Sequence, residues 1–385
     1  MKIRLERDVL ADAVQWAARS LPNRPSAPIL AGLRMEASGN ELVLSGFDYE
    51  TSAKITLPAH VSDEGVALVS GRLLADIARS LPAKPVNLTS DGTKMEIVCG
   101  SARFTLQLLP LAEYPALPPM PPATGSIDAS VFASAVAQVV VAAGRDELLP
   151  VFTGVRVEIE GDTLSLLATD RYRMALKEVA WNPGTARAEG AALVPARVLN
   201  ETAKSMTSGP QVTISLASDA GDGLIGFEGD GASGTRQITT RLLDGEFPKV
   251  RHLMSVQPSV TVRANTSEVI AAVKRVALVA ERNTSLRMMI AEDHITLEAA
   301  TGDQAQAVEA VEATVIDETG AGLSMTAAGF NPHYLEAALT ALDTPYVNFA
   351  FTAPGKPCLL TPLVAIDGEP SSDYKHVIML MRLPQ

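Results

Sequence analysis

The residues best equipped for chemistry in this chain stand together at a turn near its middle, Asp170-Arg171-Tyr172-Arg173. Apolar residues flank them on both sides, which is typical of two strands joined by a tight turn that contains aspartate. No nucleophile and base stand together in the sequence, so the pattern favours binding over catalysis.

The motifs of common cofactor and metal sites are missing from the sequence. It contains no glycine-rich phosphate loop, no H-E-x-x-H and no C-x-x-C, and its five histidines are scattered. Cys99 and Cys358 lie far apart in strand-like contexts, which indicates two buried small residues and not a disulfide or a zinc site. We therefore expect a protein without metal or cofactor that is not an enzyme.

Composition limits the possible partners and the location of the protein. The 385 residues carry a formal net charge of −12, so a surface that coats nucleic acid throughout is disfavoured, whereas a basic strip on one face stays possible. The N-terminus is charged where a signal peptide would be apolar, and the longest apolar run, 131–143, is too short to span a membrane. A cytoplasmic protein is expected.

A turn of similar shape occurs three times, within 44–53, 166–176 and 297–307, each time between strand-like runs. Around each turn the order of elements is helix, strands, helix, strands, over about 120 to 130 residues. A proline-rich stretch at 115–125 is typical of an extended linker. The sequence thus predicts an α+β protein made of three tandem units with antiparallel sheets, bounded at 1–120, 121–253 and 254–385.

Residues typical of helix ends mark the first helix of the second unit and the first helix of the third unit. A helix over 128–144 opens on acidic and serine residues and closes on glycine, and a helix over 266–280 opens on a threonine or serine cap.

The second helix of the first two units repeats one charge pattern. Residues seven apart share a helix face, and on each helix two cations flank an acid at this spacing. An ordinary solvated face with internal ion pairs would explain either helix alone, but the recurrence favours a shared basic surface. The residues are Arg72, Asp76 and Arg79 in the first unit, and Arg197, Glu201 and Lys204 in the second.

Taken in order, these repeats resemble the bacterial replication sliding clamp, the beta subunit of DNA polymerase III. The resemblance covers nearly the whole chain, and each motif gains its specificity from its place in the series. The matching stretches are NRPSAPIL at 23–30, ATDRYRMA at 168–175, DGEFP at 244–248, Phe330-Asn331 with Tyr334, and MLMRL at 379–383.

The resemblance implies a processivity factor made of three clamp domains, of which two chains close head to tail into a homodimeric ring around duplex DNA. An acidic exterior with a mildly basic lining would let such a ring slide, since DNA is held by topology and contacted without sequence preference. It also implies binding of the polymerase III alpha subunit, the clamp loader, other polymerases and repair proteins. The lining candidates are Arg24, Arg72, Arg79, Arg197, Lys204, Lys274, Arg275 and Arg282.

In this family the central turn and the C-terminal tail meet between the second and third domains in an apolar pocket for short partner peptides. Methionine and leucine walls adapt to several peptides, while Arg173 and Arg382 suit a polar or carboxylate group. By position, the pocket residues are Phe152, Thr169, Arg171, Tyr172, Arg173, Met174, Pro248, Leu253, Asn331, Tyr334, Val377, Ile378, Met379, Leu380, Met381, Arg382 and Leu383.

Several positions depart from the family pattern. Many members have proline at the place of Leu380 and Gly-His at the place of Arg171-Tyr172, and Pro384 and Gln385 extend the tail. Two alternatives to the main clamp therefore stay open. One is a duplicated clamp with altered partner preference, for repair or for tolerance of an inhibitor. The other is a three-domain binding protein without a role on DNA.

Overall fold

The fold is taken from a computed structural model, which describes residues 1–185, 188–217, 223–280, 284–302 and 304–383. Within these ranges, each unit contributes two α-helices. The helices are α1 (Arg7–Ala18), α2 (Gly71–Ser80), α3 (Ala129–Val140), α4 (Ala196–Ser205), α5 (Thr266–Val276) and α6 (Pro332–Leu342).

Strands fill most of the remaining chain. Those of the first unit are β1 (Lys2–Leu5), β2 (Gly32–Ser38), β3 (Glu41–Phe47), β4 (Thr51–Pro58), β5 (His60–Asp63), β6 (Gly65–Ser70), β7 (Val86–Ser90), β8 (Lys94–Cys99) and β9 (Ala102–Gln107). Those of the second are β10 (Gly125–Asp128), β11 (Gly154–Glu160), β12 (Thr163–Thr169), β13 (Arg173–Ala180), β14 (Asn182–Pro183), β15 (Glu189–Pro195), β16 (Gln211–Leu216), β17 (Leu224–Asp230) and β18 (Thr235–Arg241). Those of the third are β19 (Val260–Asn265), β20 (Leu286–Ile290), β21 (His294–Thr301), β22 (Ala305–Asp317), β23 (Ala327–Phe330), β24 (Tyr346–Phe351), β25 (Cys358–Leu363) and β26 (Tyr374–Ile378).

Two sheets continue from one unit into the next. β4 of the first unit pairs antiparallel with β18 of the second, and β13 of the second pairs antiparallel with β26 of the third. The resulting strand orders are β14-β10-β16-β17-β18-β4-β3-β2-β6 and β15-β11-β12-β13-β26-β25-β24-β19-β22-β21-β20-β23, beside a five-stranded sheet β5-β1-β7-β8-β9. Main-chain hydrogen bonds therefore fix how neighbouring units meet.

The helices pack in pairs, one pair per unit, against the sheets. Helix α5 shows why: Val269, Ala272, Val273 and Val276 are buried at helical spacing, whereas the charged residues between them are exposed. Helix α2 likewise buries Leu74, Ile77 and Ala78. The polar stripes that the sequence analysis identified therefore face away from the core.

Two details of the helices differ from the sequence predictions. Helix α3 ends at Val140 and not at Gly144, because the chain turns there and the Gly144 N–H donates to the Phe152 carbonyl at 2.6 Å. Helix α5 is capped by the Asn265 side chain, which accepts the Glu268 N–H at 3.1 Å, and not by a threonine or serine. The expected aspartate start of α3 is confirmed, since Asp128 accepts from Ser130 and Val131. Within the described ranges, no helix has the length and apolarity needed to cross a membrane.

Candidate functional site

The central turn is held in a fixed shape by its own side chains. Asp170 Oδ1 accepts the Tyr172 and Arg173 N–H groups, both at 3.0 Å, and the Thr169 hydroxyl donates to the Arg173 carbonyl at 2.8 Å. Arg171 adopts a φ of 81°, a left-handed conformation that costs a non-glycine residue on the order of 1 kcal/mol. Tyr49 in the corresponding turn of the first unit adopts the same conformation, with a φ of 73°, so this strain belongs to the repeated turn.

The turn presents two arginines against aromatic rings. The Arg173 Nε donates to Asp170 Oδ2 at 3.0 Å, and its guanidinium lies 4.3 Å from the centre of the Tyr334 ring. The Arg171 guanidinium lies 5.6 Å from the Phe152 ring centre and 5.7 Å from that of Tyr172. Arg173 is largely buried, whereas Arg171 and Tyr172 are exposed. The site thus offers one fixed cation and one adaptable cation beside aromatic faces.

The C-terminal tail crosses directly over this turn. β26 pairs with β13 so that Val377 lies opposite Met174 and Ile378 lies opposite Arg173. Beyond the strand, the Met379 N–H donates to the Tyr172 carbonyl and the Met381 N–H donates to the Gly329 carbonyl, both at 2.8 Å. The tail is therefore tied first to the second unit and then to the third.

An apolar cluster lies beneath the turn and the tail. Its members come from both units and from the linker between them, so the cluster exists only where the two units meet. The buried members are Leu167, Met174, Leu176, Leu193, Phe247, Met254, Ala350, Leu359 and Val377, and Val151, Leu243, Val250, Leu253, Val256 and Met379 are partly exposed. Beside it lies a cavity of about 380 Å³ bordered by Leu167, Phe247, Pro248 and Val250.

A buried polar network lies behind the pocket and joins α3 to β26. The Tyr374 hydroxyl donates to the Gln138 carbonyl at 3.0 Å and lies 3.1 Å from His376 Nδ1. The Gln138 side chain donates to the Ala341 carbonyl at 3.1 Å. Burial, together with the charge of Arg173, lowers the pKa of His376 to about 3, so this imidazole is neutral.

The structure brings most of the predicted pocket residues together. Phe152, Tyr172, Pro248, Leu253 and the tail from Met379 to Leu383 are at least partly exposed around the cluster. Thr169 and Ile378 are buried, the first bonded to the turn and the second in the main core, so they support the pocket from behind. Asn331 caps α6 by accepting the His333 and Tyr334 N–H groups, which positions the Tyr334 ring.

Several residues of the pocket were missed by the sequence analysis. Leu167, Phe247 and Leu359 form its floor. Asp170, which the sequence analysis named in the turn but not among the pocket residues, orients Arg173. The conspicuous position of Asp170 in the turn was a usable signal. The sequence contained no comparable signal for Leu359, because every residue of β25 is buried and none is distinguished from its neighbours.

A second candidate site is a basic groove where α1, α2 and α4 meet across the first two units. It encloses about 780 Å³, and its cations are Arg19, Arg72, Arg79 and Arg197. Arg72 donates to Asn23 Oδ1 at 2.6 Å, and Arg79 pairs with Asp76 at 3.1 Å. Arg19 was missed by the sequence analysis. Arg72 and Arg79 of the first stripe and Arg197 of the second therefore border one groove, which Asp48, Glu147 and Glu201 also border, whereas Lys204 does not.

The other predicted lining residues lie elsewhere. Arg24 is exposed in the loop after α1, and Lys204 is exposed on α4. In the third unit, Lys274 lies 3.7 Å from Glu336, and Arg275 forms a two-point ion pair with Glu309 on β22. Arg282 lies outside the described residues.

The described ranges contain no group of three or more histidine, cysteine, aspartate or glutamate side chains arranged to hold a metal ion.

Comparisons with known proteins agree over the whole chain. Family models of the DNA polymerase III beta subunit match residues 1–118 (N-terminal domain), 126–249 (central domain) and 253–382 (C-terminal domain). The beta sliding clamp of Streptomyces coelicolor is 52% identical over 384 residues, covering 100% of both chains. The beta sliding clamp homolog GriR of Streptomyces muensis is 40% identical over 382 residues, covering 99% of both. The solved structure of the Bacillus subtilis DNA polymerase sliding clamp has a TM-score of 0.88 at 24% identity, covering 100% of both chains.

Proposed function

The chain belongs to the DNA polymerase III beta subunit family, the bacterial sliding clamps, and we propose that two copies close head to tail into a ring on duplex DNA. As a family member it is a non-catalytic processivity factor of DNA polymerase. Its place of action is the cytoplasm, where a bacterium keeps its chromosome. We place the domain boundaries at 120/121 and 253/254, within the two linkers.

The observation that carries the ring is a pair of strand edges left open by the internal repeat. Within the chain, each unit joins the next through β4 with β18 and through β13 with β26. In the first unit, the strand that corresponds to β18 and β26 is β9, which is the outermost strand of its sheet. In the third unit, the strand that corresponds to β4 and β13 is β22, in the part that pairs with β21. Pairing β9 of one copy with β22 of another would repeat the same joint and leave no open end.

Apolar side chains at these edges support the same contact. Val308 on β22 is 57% exposed, and Leu278, just after α5, is 84% exposed. Phe104 on β9 is partly exposed as well. Large apolar residues at an open strand edge indicate an interface, since such an edge otherwise promotes uncontrolled pairing.

The basic groove across α1, α2 and α4 suits contact with DNA phosphates. Its arginines occupy exposed positions and are partly compensated by neighbouring acids, which favours weak and sequence-independent contacts. In the third unit, Lys274 suits such contacts better than Arg275, which Glu309 engages. A net charge of −12 on the whole chain keeps the remaining surface away from DNA.

The pocket between the second and third units suits short apolar peptides of the polymerase III alpha subunit, the clamp loader and other polymerases or repair proteins. Its floor is apolar and its rim carries Arg171, Arg173 and Arg382, which suit polar or carboxylate groups. Each buried leucine-sized peptide side chain would contribute about 1.5–3 kcal/mol.

The main clamp is favoured over a duplicated clamp with a separate role. Identity is 52% over the full length to a protein named beta sliding clamp, whereas it is 40% to GriR, which is named a homolog of that clamp. A three-domain protein unrelated to DNA is not supported by these matches.

Peptide binding tests the pocket directly. A fluorescein-labelled peptide that copies the clamp-binding segment of the alpha subunit should bind the wild type, and Met381→Ala with Leu383→Ala should abolish binding. Both residues lie on the tail beyond β26, so light scattering should show an unchanged dimer. Unaltered affinity of the double variant would refute the pocket assignment.

A further inference from the structure

The linker between the second and third units forms one wall of the pocket. After β18 it lies across the sheet of the second unit, and a short 3-10 helix spans Arg251–Met254. Met254 is buried in the apolar cluster under the pocket, and Leu253 is a partly exposed member of the same cluster. The position of this short helix therefore decides where the Leu253 wall stands.

Directly beneath Arg251, two carboxylates flank a small residue in one row across three strands. Glu158 on β11 lies opposite Ser165 on β12, and Ser165 lies opposite Glu178 on β13. The Arg251 guanidinium bridges the row, with Nη1 donating to Glu178 at 3.0 Å and Nη2 donating to Glu158 at 2.5 Å. Because serine is short, the space above it is open to a planar guanidinium that bonds on both sides.

The pKa shifts of Glu158 and Arg251 favour a lasting ion pair between them. Burial would raise the pKa of Glu158, but hydrogen bonds from Arg156 and Arg251 outweigh this effect and hold that pKa below its usual range. Burial would lower the pKa of Arg251, yet its bonds to Glu158 and Glu178 raise it. Both partners therefore stay ionised at neutral pH.

The first unit shows the same sheet without this anchor. Arg34 and Glu36 form a 2.6 Å ion pair as Arg156 and Glu158 do, but Val43 and Thr56 stand where Ser165 and Glu178 stand in the second unit. Each linker contains an aromatic residue followed by a proline. When the two linkers are aligned on this pair, Pro118 of the first linker stands at the position of Arg251 in the second.

In the first unit the groove beneath the linker has a volume of about 660 Å³, whereas the corresponding cavity of the second unit, which Arg251 and Glu158 border, has a volume of about 380 Å³. The arginine anchor thus belongs to the linker that borders the pocket, and the other linker lacks it.

We propose that Arg251 is a positioning residue of the peptide pocket, which through Glu158 and Glu178 holds the linker helix so that Leu253 stands as a pocket wall before a peptide arrives. This inference rests on the proposed peptide-binding function. A wall fixed in advance spares the peptide the cost of ordering it, so losing the anchor should speed peptide dissociation.

The test measures peptide affinity and dissociation rate for the full-length protein with the labelled alpha-subunit peptide. Two half-exposed ion pairs predict an increase in Kd of about three- to tenfold for Arg251→Ala. Arg251→Lys should fall between, because an ammonium group does not bridge both carboxylates. Glu178→Gln, a milder change that keeps the size of the side chain, should give a smaller increase. Arg34→Ala removes the first-unit counterpart of the Arg156–Glu158 pair, so it deletes a carboxylate-bound arginine away from the pocket; as a control it should leave Kd unchanged.

A double-mutant cycle separates positioning from general stability. Arg251→Ala should cost affinity in the wild type but little in a Leu253→Ala background, where the wall it positions is gone. If Arg251→Ala lowers the melting temperature while Kd and dissociation rate stay at wild-type values, the proposal is overturned. The proposal is also overturned if both single variants, Glu178→Gln and Arg251→Lys, bind the peptide with the wild-type Kd. If the wild type itself does not bind the peptide, it is the proposed function of the pocket that fails.

Discussion

Replacing Gly329 by alanine should loosen the C-terminal tail while leaving the domains folded. Gly329 lies on β23, and a β carbon there would stand 2.7 Å from the Met381 carbonyl oxygen and 3.1 Å from Leu383 Cδ2. The first of these atoms belongs to the backbone, so it cannot rotate away as a side chain would. The tail must therefore move as a unit away from β23.

The size of the effect follows from the bond that is lost. The Met381 N–H donates to the Gly329 carbonyl at 2.8 Å, and a hydrogen bond of this kind contributes about 0.5–1.5 kcal/mol. If the docked tail forms part of the pocket, peptide Kd should rise by about two- to twelvefold. The free energy of unfolding should fall by no more than the same amount, about 0.5–1.5 kcal/mol, since Leu380 is the one described tail residue beyond Ile378 that packs against the main core.

Fluorescence anisotropy with the alpha-subunit peptide measures the first quantity and urea denaturation the second. Gly46→Ala is a matched control: a β carbon there would stand 2.9 Å from Ser20 Oγ in the first unit, remote from the tail. It should lower stability without changing peptide Kd. Wild-type affinity for Gly329→Ala would refute the argument that the tail must be docked on β23 for the pocket to form.

Three further changes test other parts of the account. Leu278→Asp places a charge on a side chain that is 84% exposed at the proposed seam and should give monomers by light scattering; an intact dimer would place the seam elsewhere. Burial lowers the pKa of His376 from 6.5 to about 3, so the unfolded chain takes up about one more proton between these values and stability falls as pH drops below 6.5. His376→Leu should flatten that slope in urea titrations at pH 7 and 5, and an unchanged slope would contradict the assignment. Arg236 on β18 is 6% exposed and donates to Asp12 on α1 at 2.7 Å, so Arg236→Ala should cost about 1–3 kcal/mol in urea denaturation. Arg79, in an exposed ion pair with Asp76, is the control, and Arg79→Ala should cost at most about 1 kcal/mol; equal losses would contradict a buried ion pair between the first two units.

The threefold repeat and the class of fold could be predicted because they rest on local signals. The spacing of apolar residues, the turn residues and the proline-rich linker indicate helices, strands and domain boundaries. Each of these signals involves only residues that are close together in the sequence. The turn at Asp170 was visible for the same reason, since aspartate bonds to the backbone two and three residues ahead of it. The basic stripes on α2 and α4 follow from helix geometry alone.

Contacts between distant segments could not be read in this way. Leu359 and Leu167 meet in one cluster only because β13 and β26 pair across two units, and nothing in a continuous apolar strand indicates that register. Arg19 joins the basic groove because α1 packs beside α2, which the charge pattern of one helix does not show. The bridge from Arg251 to Glu158 and Glu178 likewise depends on three strands and a linker coming together.

The most direct test of the central claim is retention on nicked circular DNA after loading by a clamp loader with ATP, measured before and after the circle is cut. A closed ring that holds DNA by topology should stay on circles and run off once they are linearised. Retention that does not change when the circle is cut, or no retention at all, would contradict the ring and the function built on it.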